Sequence, residues 1–127
     1  MNKKNMCKRA FKTSWFAKVA KKAKITDYDL FEAIQQVIEG KAVDLGGGVF
    51  KKRLNDNRNR SIILARGGCY WIYEYLFAKK DRDNIDDNEL QHFRKLAKLY
   101  AELSVDQIDQ LVDEKLLIEI YDDEKEN

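Results

Sequence analysis

The chain contains no proline, a single histidine and only two cysteines among its 127 residues. Without proline, element boundaries must be marked by glycine, by capping residues and by changes in hydrophobic period. Cys7 and Cys69 form no CxxC and have no histidine near them, so neither a zinc site nor a disulfide framework has support, and both are expected to be buried thiols. His92, between Leu90 and Phe93, has no second histidine to share a metal and is expected at the boundary or solvent side of a helix. The acidic clusters at 81–89 and 122–126 lack EF-hand spacing and are better explained by capping and solvation. No apolar run approaches the roughly 20 residues of a membrane span. The opening MNKKNMCKRAF lacks the apolar centre and cleavage site of a secretory signal, which leads to the expectation of a cytoplasmic protein.

Hydrophobic residues make up 44% of the chain and charged residues 36%, a balance that suits one folded domain and argues against disorder. The net charge of +2 conceals an asymmetry. Residues 1–60 carry 15 Lys/Arg against 6 Asp/Glu, and residues 61–127 carry 9 against 16. The basic half suits a polyanion, whereas the acidic half suits solubility or protein contacts.

A short strand over 6–12 leads to Thr13 or Ser14, either of which can cap a helix carrying Trp15, Phe16, Val19, Ala20 and Ala23 on one side. Lys18, Lys21, Lys22 and Lys24 lie on the other side. Thr26 and Asp29 form a capping-box variant for a second helix, which stops at Gly40, so the two helices make a hairpin. The period then changes. Gly46, Gly47 and Gly48 precede a strand from about Val49 to Asn55, not a helix, which disfavours a phosphate-binding loop and favours a bend or bulge.

NDNRNR is turn-like. Gly67-Gly68 then separates SIILAR from CYWIYEYLFAK and predicts a two-residue hairpin. Strict alternation puts Ile62, Leu64, Ile72 and Leu76 opposite Ile63, Trp71, Tyr73 and Phe77, a sheet apolar on both faces. Asp86 or Asp87 caps a third helix, Ser104-x-x-Gln107 opens a fourth, and LLIEIY alternates as a last strand before an acidic tail.

Alternation also puts Lys51 and Arg53 on one face, with Phe50, Lys52 and Leu54 on the other. If the strands pair as an antiparallel sheet, Arg60, Lys79, Lys80 and Arg82 can join them beside aromatic side chains. Single-stranded RNA is held in that way, with phosphates on cations and bases on rings. Charges along strand edges also serve to discourage aggregation.

The strings KTSWFAKVAKKAKITDYDLFEAI, LGGGVFKKRL, FAKKDRDNIDDNEL and LLIEI resemble, in order and over roughly residues 10–121, the RelE/ParE toxin superfamily, in particular a branch related to HigB toxins. The resemblance implies an α+β fold, a small antiparallel sheet packed with an N-terminal helical hairpin and C-terminal helices. It implies a single toxin domain over 1–121, with 122–127 an acidic, frayed tail. The implied activity is that of a ribosome-dependent mRNA endonuclease, held by a cognate antitoxin of helix-turn-helix type. It needs no metal or cofactor, because the RNA's own 2′-hydroxyl attacks the adjacent phosphate.

By the same resemblance Lys51 and Arg53 bind phosphate, with Lys51 a base if the cluster lowers its pKa. Arg60 is the transition-state arginine, and Lys79 and Arg82 serve positioning or acid catalysis. Lys18, Lys22, Lys52, Arg58 and Lys80 are expected to support RNA binding. One departure stands out: related toxins carry a longer loop ending in Gly-Gly-x-Arg, where this chain has glycine-free NDNRNR. Two other readings remain open on the same scaffold, a ParE-like gyrase inhibitor and a catalytically degenerate binding or regulatory protein.

Overall fold

The computed structural model of the chain describes residues 7–67 and 69–125. Met6, Gly68 and residues 126–127, on which parts of the expected first strand, hairpin and tail fall, lie outside the described residues. The elements run β1 (Arg9–Thr13), α1 (Ser14–Lys22), α2 (Asp27–Ile38), β2 (Val43–Gly46), β3 (Val49–Leu54), β4 (Asn59–Arg66), β5 (Tyr70–Ala78), α3 (Asp87–Glu102), α4 (Val105–Asp113) and β6 (Leu117–Asp122). The six strands form one sheet in the order β2-β3-β4-β5-β1-β6, antiparallel except where β1 runs parallel to β5. The fold is α+β, as the sequence predicts. No helix among the described residues is long and apolar enough to cross a membrane.

The helix starts follow their capping chemistry. Thr13 Oγ1 accepts from the Phe16 amide, and Thr26–Asp29, Asp86–Glu89 and Ser104–Gln107 form reciprocal capping boxes. Helices cover both faces of the sheet. On the first, Phe16 and Ala20 of α1 and Leu30, Ile34 and Val37 of α2 pack on Ala10, Leu54, Ile63, Trp71, Tyr73 and Leu76. The buried Tyr73 hydroxyl donates to the Leu30 carbonyl at 2.7 Å, fastening α2 to the centre of β5. On the second face, Phe93 and Ala97 of α3 and Ile108 of α4 pack on Phe11, Val49, Ile62, Leu64, Ile72 and Leu117. Arg66 donates to the Tyr100 and Leu103 carbonyls and so closes the open end of α3.

Several local expectations need correction. The glycine triplet has positive φ throughout and a register shift beside Gly46, in keeping with a bend or bulge, but Val43–Gly46 before the turn is itself a strand paired antiparallel with β3, which the sequence did not predict. Its turn lies directly against Arg94 of α3, and a Cβ on Gly47 (φ +65°) would sit 2.8 Å from Arg94 Cγ. The hairpin between β4 and β5 has three residues in its loop, since pairing ends at Arg66 with Tyr70.

Leu76 and Phe77 lie on the faces opposite to those strict alternation assigns. Ile62 pairs with Tyr75 but Ile63 pairs with Tyr73, so Glu74 is an extra residue that reverses the order of faces beyond it. Cys7 is buried and its thiol is pushed up to about 12 by burial and then by Asp123 and Cys69, but Cys69 itself is half-buried. Asp122 ends β6, and Asp123–Lys125 form a 3-10 turn in which the Asp123 amide donates to the Lys8 carbonyl, so the acidic segment is tied to β1 up to that point.

The bulge carries an electrostatic consequence. Glu74 Oε1 is buried with no hydrogen-bond partner. Burial raises its carboxyl from 4.5 to about 7, with a smaller opposing pull from the Tyr100 hydroxyl. The folded state therefore keeps a proton that the unfolded chain gives up, so stability falls as pH rises from about 4.5 to about 7 and this contribution is constant outside that window. Urea denaturation across this range should show Glu74→Gln flattening the decline by roughly 2–3 kcal/mol relative to the parent chain. Gly47→Ala should lower stability by roughly 2 kcal/mol at every pH in the same assay, from a left-handed backbone that disfavours a side chain and from the contact with Arg94.

Candidate functional site

The second face of the sheet is covered by α3 and α4 only in part. Beyond the cover, alternation along β3 brings Lys51 and Arg53 to the same side as the buried Val49. The antiparallel register sets Lys51 opposite Ile62 and Arg53 opposite Arg60, and on the next strand Arg60 lies opposite Phe77. Three cations from two adjacent strands thus share one surface. Among the described residues none of them has a carboxylate within ion-pair distance, although Arg53 also lines a hollow that Asp29 and Glu32 of α2 share.

Arg60 is 8% exposed, and its Nη1 donates to the carbonyls of Asn57 at 3.0 Å and Asn59 at 3.3 Å. Backbone carbonyls hold the guanidinium in place and leave its full charge. The glycine-free loop can present them because Asn55, Asp56 and Asn57 all take left-handed angles (φ +56°, +54° and +71°), a conformation these short polar side chains tolerate better than most. The Asn55 side chain also donates to the Ala23 carbonyl and to Asn59 Oδ1, bracing the loop against the end of α1.

Arg82 approaches the same surface from the segment after β5. Its guanidinium lies 5.4 Å from the centre of the Phe77 ring, donates to the Tyr75 hydroxyl at 3.3 Å, and pairs with Glu89 at 2.5 Å. Tyr75 in turn stacks on Trp15 of α1, with ring centres 5.4 Å apart and planes 15° from parallel, and it also meets Phe93 of α3. Lys18 and Lys22 are exposed on the helix stripe that begins at Trp15.

Other residues singled out from the sequence lie elsewhere. Lys52 pairs with Ser61 on the opposite face. Its ammonium is held below the usual lysine value by burial first, then by the charges of Arg53 and Lys41. Arg58, Lys79 and Lys80 line a separate hollow of about 760 Å³ at the end of the sheet, with Asn55–Asn59, Ala23 and Ala78. One continuous patch of all ten cations is therefore not formed. Sequence reading also passed over Trp15, Glu74 and Tyr75 as site residues. The signal available for Tyr75 and Phe77 was their spacing on an aromatic strand, but the bulge that turns them toward Arg60 leaves no mark in the pattern.

His92 is exposed, and no group of three or more His, Cys, Asp and Glu side chains is placed to hold a metal among the described residues.

A family model described as the RelE toxin of the RelE/RelB toxin–antitoxin system matches residues 8–120. No curated protein and no solved structure gives a match. The family match begins beside β1, ends within β6, and takes in every strand that builds the cationic face. The chain belongs to the RelE toxin family, the toxin half of a toxin–antitoxin system, and has an antitoxin as its partner.

Proposed function

We propose that this toxin is a ribosome-dependent mRNA endonuclease, of the HigB-related branch that its sequence resembles, and that it cleaves RNA by attack of a 2′-hydroxyl on the adjacent phosphate. The observation that carries this reading is the uncompensated group of Lys51, Arg53 and Arg60 on one face, bordered by Phe77 and Tyr75. In the reaction the O2′–P bond forms, the P–O5′ bond breaks, and the products are a 2′,3′-cyclic phosphate and a 5′-hydroxyl. Negative charge accumulates on the non-bridging oxygens at the transition state. Fixed cations in a partly buried surface stabilise that charge with little reorganisation.

In this reading Lys51 and Arg53 hold the phosphate, and Lys51 takes the 2′-proton. Arg60, immobilised by two carbonyls, meets the developing phosphorane charge. Arg82, over Phe77, serves the leaving-group side, and Lys79, in the separate hollow, adds to substrate attraction from there. Lys18, Lys22, Arg58 and Lys80 extend the attraction to the surrounding ribosomal and messenger RNA, and Lys52 adds to it from the opposite face. Neutral residues at 51, 53 and 60 would have favoured a gyrase-directed toxin instead. The partner is a small antitoxin of helix-turn-helix type, and the site of action is the cytoplasm, where translating ribosomes are found.

Induced expression in a bacterial host should arrest growth and produce new 5′-hydroxyl transcript ends within translated frames. Arg60→Ala should cut the cleavage rate by about 100-fold or more while circular dichroism and the melting curve show a folded protein. Arrest without such ends would overturn the nuclease reading, and full cleavage by a folded Arg60→Ala variant would remove that arginine from the chemistry.

A further inference from the structure

Beside the cationic face, between the start of α1 and the first turns of α3, lies a cleft of about 680 Å³ that the phosphate chemistry does not use. Its lining is aromatic at Trp15, Tyr75 and Phe93 and polar at Glu74, Asn88, Glu89 and His92. Trp15 is 47% exposed although its ring is already stacked on Tyr75, so one indole face is fixed and part of the ring remains open to a ligand.

The cleft is linked to the cation group through Tyr75. Arg60 is paired with Phe77, Arg82 lies over Phe77 and reaches the Tyr75 hydroxyl, and Tyr75 leads to Trp15. Tyr75 and Phe77 are two residues apart on one strand, about 7 Å. A chain with its phosphate at Arg60 therefore has a flat, partly polar ring within reach of Trp15.

Charge decides which part of such a chain enters. The exposed Asn88 amide oxygen accepts hydrogen bonds from exocyclic amino and ring N–H groups, and the lining brings no unpaired cation to hold a phosphate. Arg82 neutralises Glu89 at 2.5 Å, so the cleft presents acceptors with little net charge.

We propose that this cleft is a nucleobase subsite, in which one base of the bound RNA stacks against Trp15 and is read along its edge by Asn88. The inference rests on the RNA reading and adds to it a place for a base. A sequence preference at the cleavage position would originate in this cleft and not at the cations, which contact only phosphate.

The test is a fluorescence titration of the purified full chain at low salt with a 2′-O-methyl-RNA hexamer, which cannot be cleaved, and in parallel with an abasic oligomer of the same length. The hexamer should quench the indole emission, and the abasic oligomer should bind more weakly without quenching. Trp71 is nearly buried, so it leaves the quenching to Trp15. Trp15→Leu should weaken hexamer binding about tenfold with the salt slope unchanged, whereas Lys51→Ala should reduce that slope. Asn88→Trp, at an exposed rim position, should block the cleft and give the same loss without depending on how α1 tolerates the leucine.

Hexamer affinity unaltered by both Trp15→Leu and Asn88→Trp would overturn the subsite while leaving the RNA reading intact. Absence of any hexamer binding by the parent chain would overturn the RNA reading and the subsite with it. Loss of antitoxin binding with unaltered hexamer affinity would assign the cleft to the antitoxin and overturn its role in RNA recognition.

Discussion

The arrangement of this surface depends on one extra residue in one strand. Side chains alternate strictly along an extended backbone, so the inserted Glu74 exchanges the faces of everything after it in β5. Without the bulge, Tyr75 and Phe77 would follow Tyr73 onto the face packed by α1 and α2, and Leu76 would lie among the cations. With it, Phe77 lies opposite Arg60 and Tyr75 opposite Ile62 on the cationic face, and Leu76 fills the core beneath α1. The insertion places a carboxyl where it is largely dehydrated, with one oxygen unpaired. A cost in stability of this kind is tolerated where the geometry it produces is needed.

Much of the architecture was legible because each helix start has a local chemical cause. Thr13, Thr26, Asp86 and Ser104 each accept from the amide three residues ahead, and that interaction is contained within a four-residue window. The sharing of a face by Lys51 and Arg53 was equally readable, since a period of two needs no knowledge of neighbouring strands. Strand β2 was not legible. It is four residues long, and it is a strand because β3 pairs with it and α3 presses Arg94 against its turn, both consequences of distant sequence.

The loop before Arg60 gives a sharper case. Glycine is the usual means to positive φ, and NDNRNR has none. Three consecutive residues, Asn55, Asp56 and Asn57, take that conformation instead, and the loop uses the carbonyl of Asn57 to hold Arg60. The division of the cations between the β3–β4 face and a hollow at the end of the sheet had no signal in the sequence at all. Whether Lys79 and Lys80 turn toward Arg60 or toward Ala23 depends on where β5 ends relative to α1, a tertiary fact.

The charge asymmetry of the chain now has two separate physical meanings. Carboxylates of the acidic half converge on Arg9, which pairs with Glu119 at 2.6 Å and Asp109 at 2.7 Å and so joins β1, β6 and α4. Those carboxylates satisfy a half-buried cation and are consumed by the fold. At the other end of the sheet the fold withholds that compensation from Lys51, Arg53 and Arg60. Like charges so close repel, and a paired carboxylate would relieve them. It would also occupy the positions where a phosphate must bind. Holding Arg60 by neutral carbonyls resolves the conflict, because the guanidinium is fixed in space by groups that carry no charge to cancel its own. The surface is thereby left short of anionic partners, and a ligand that brings phosphate supplies what the folded chain leaves out.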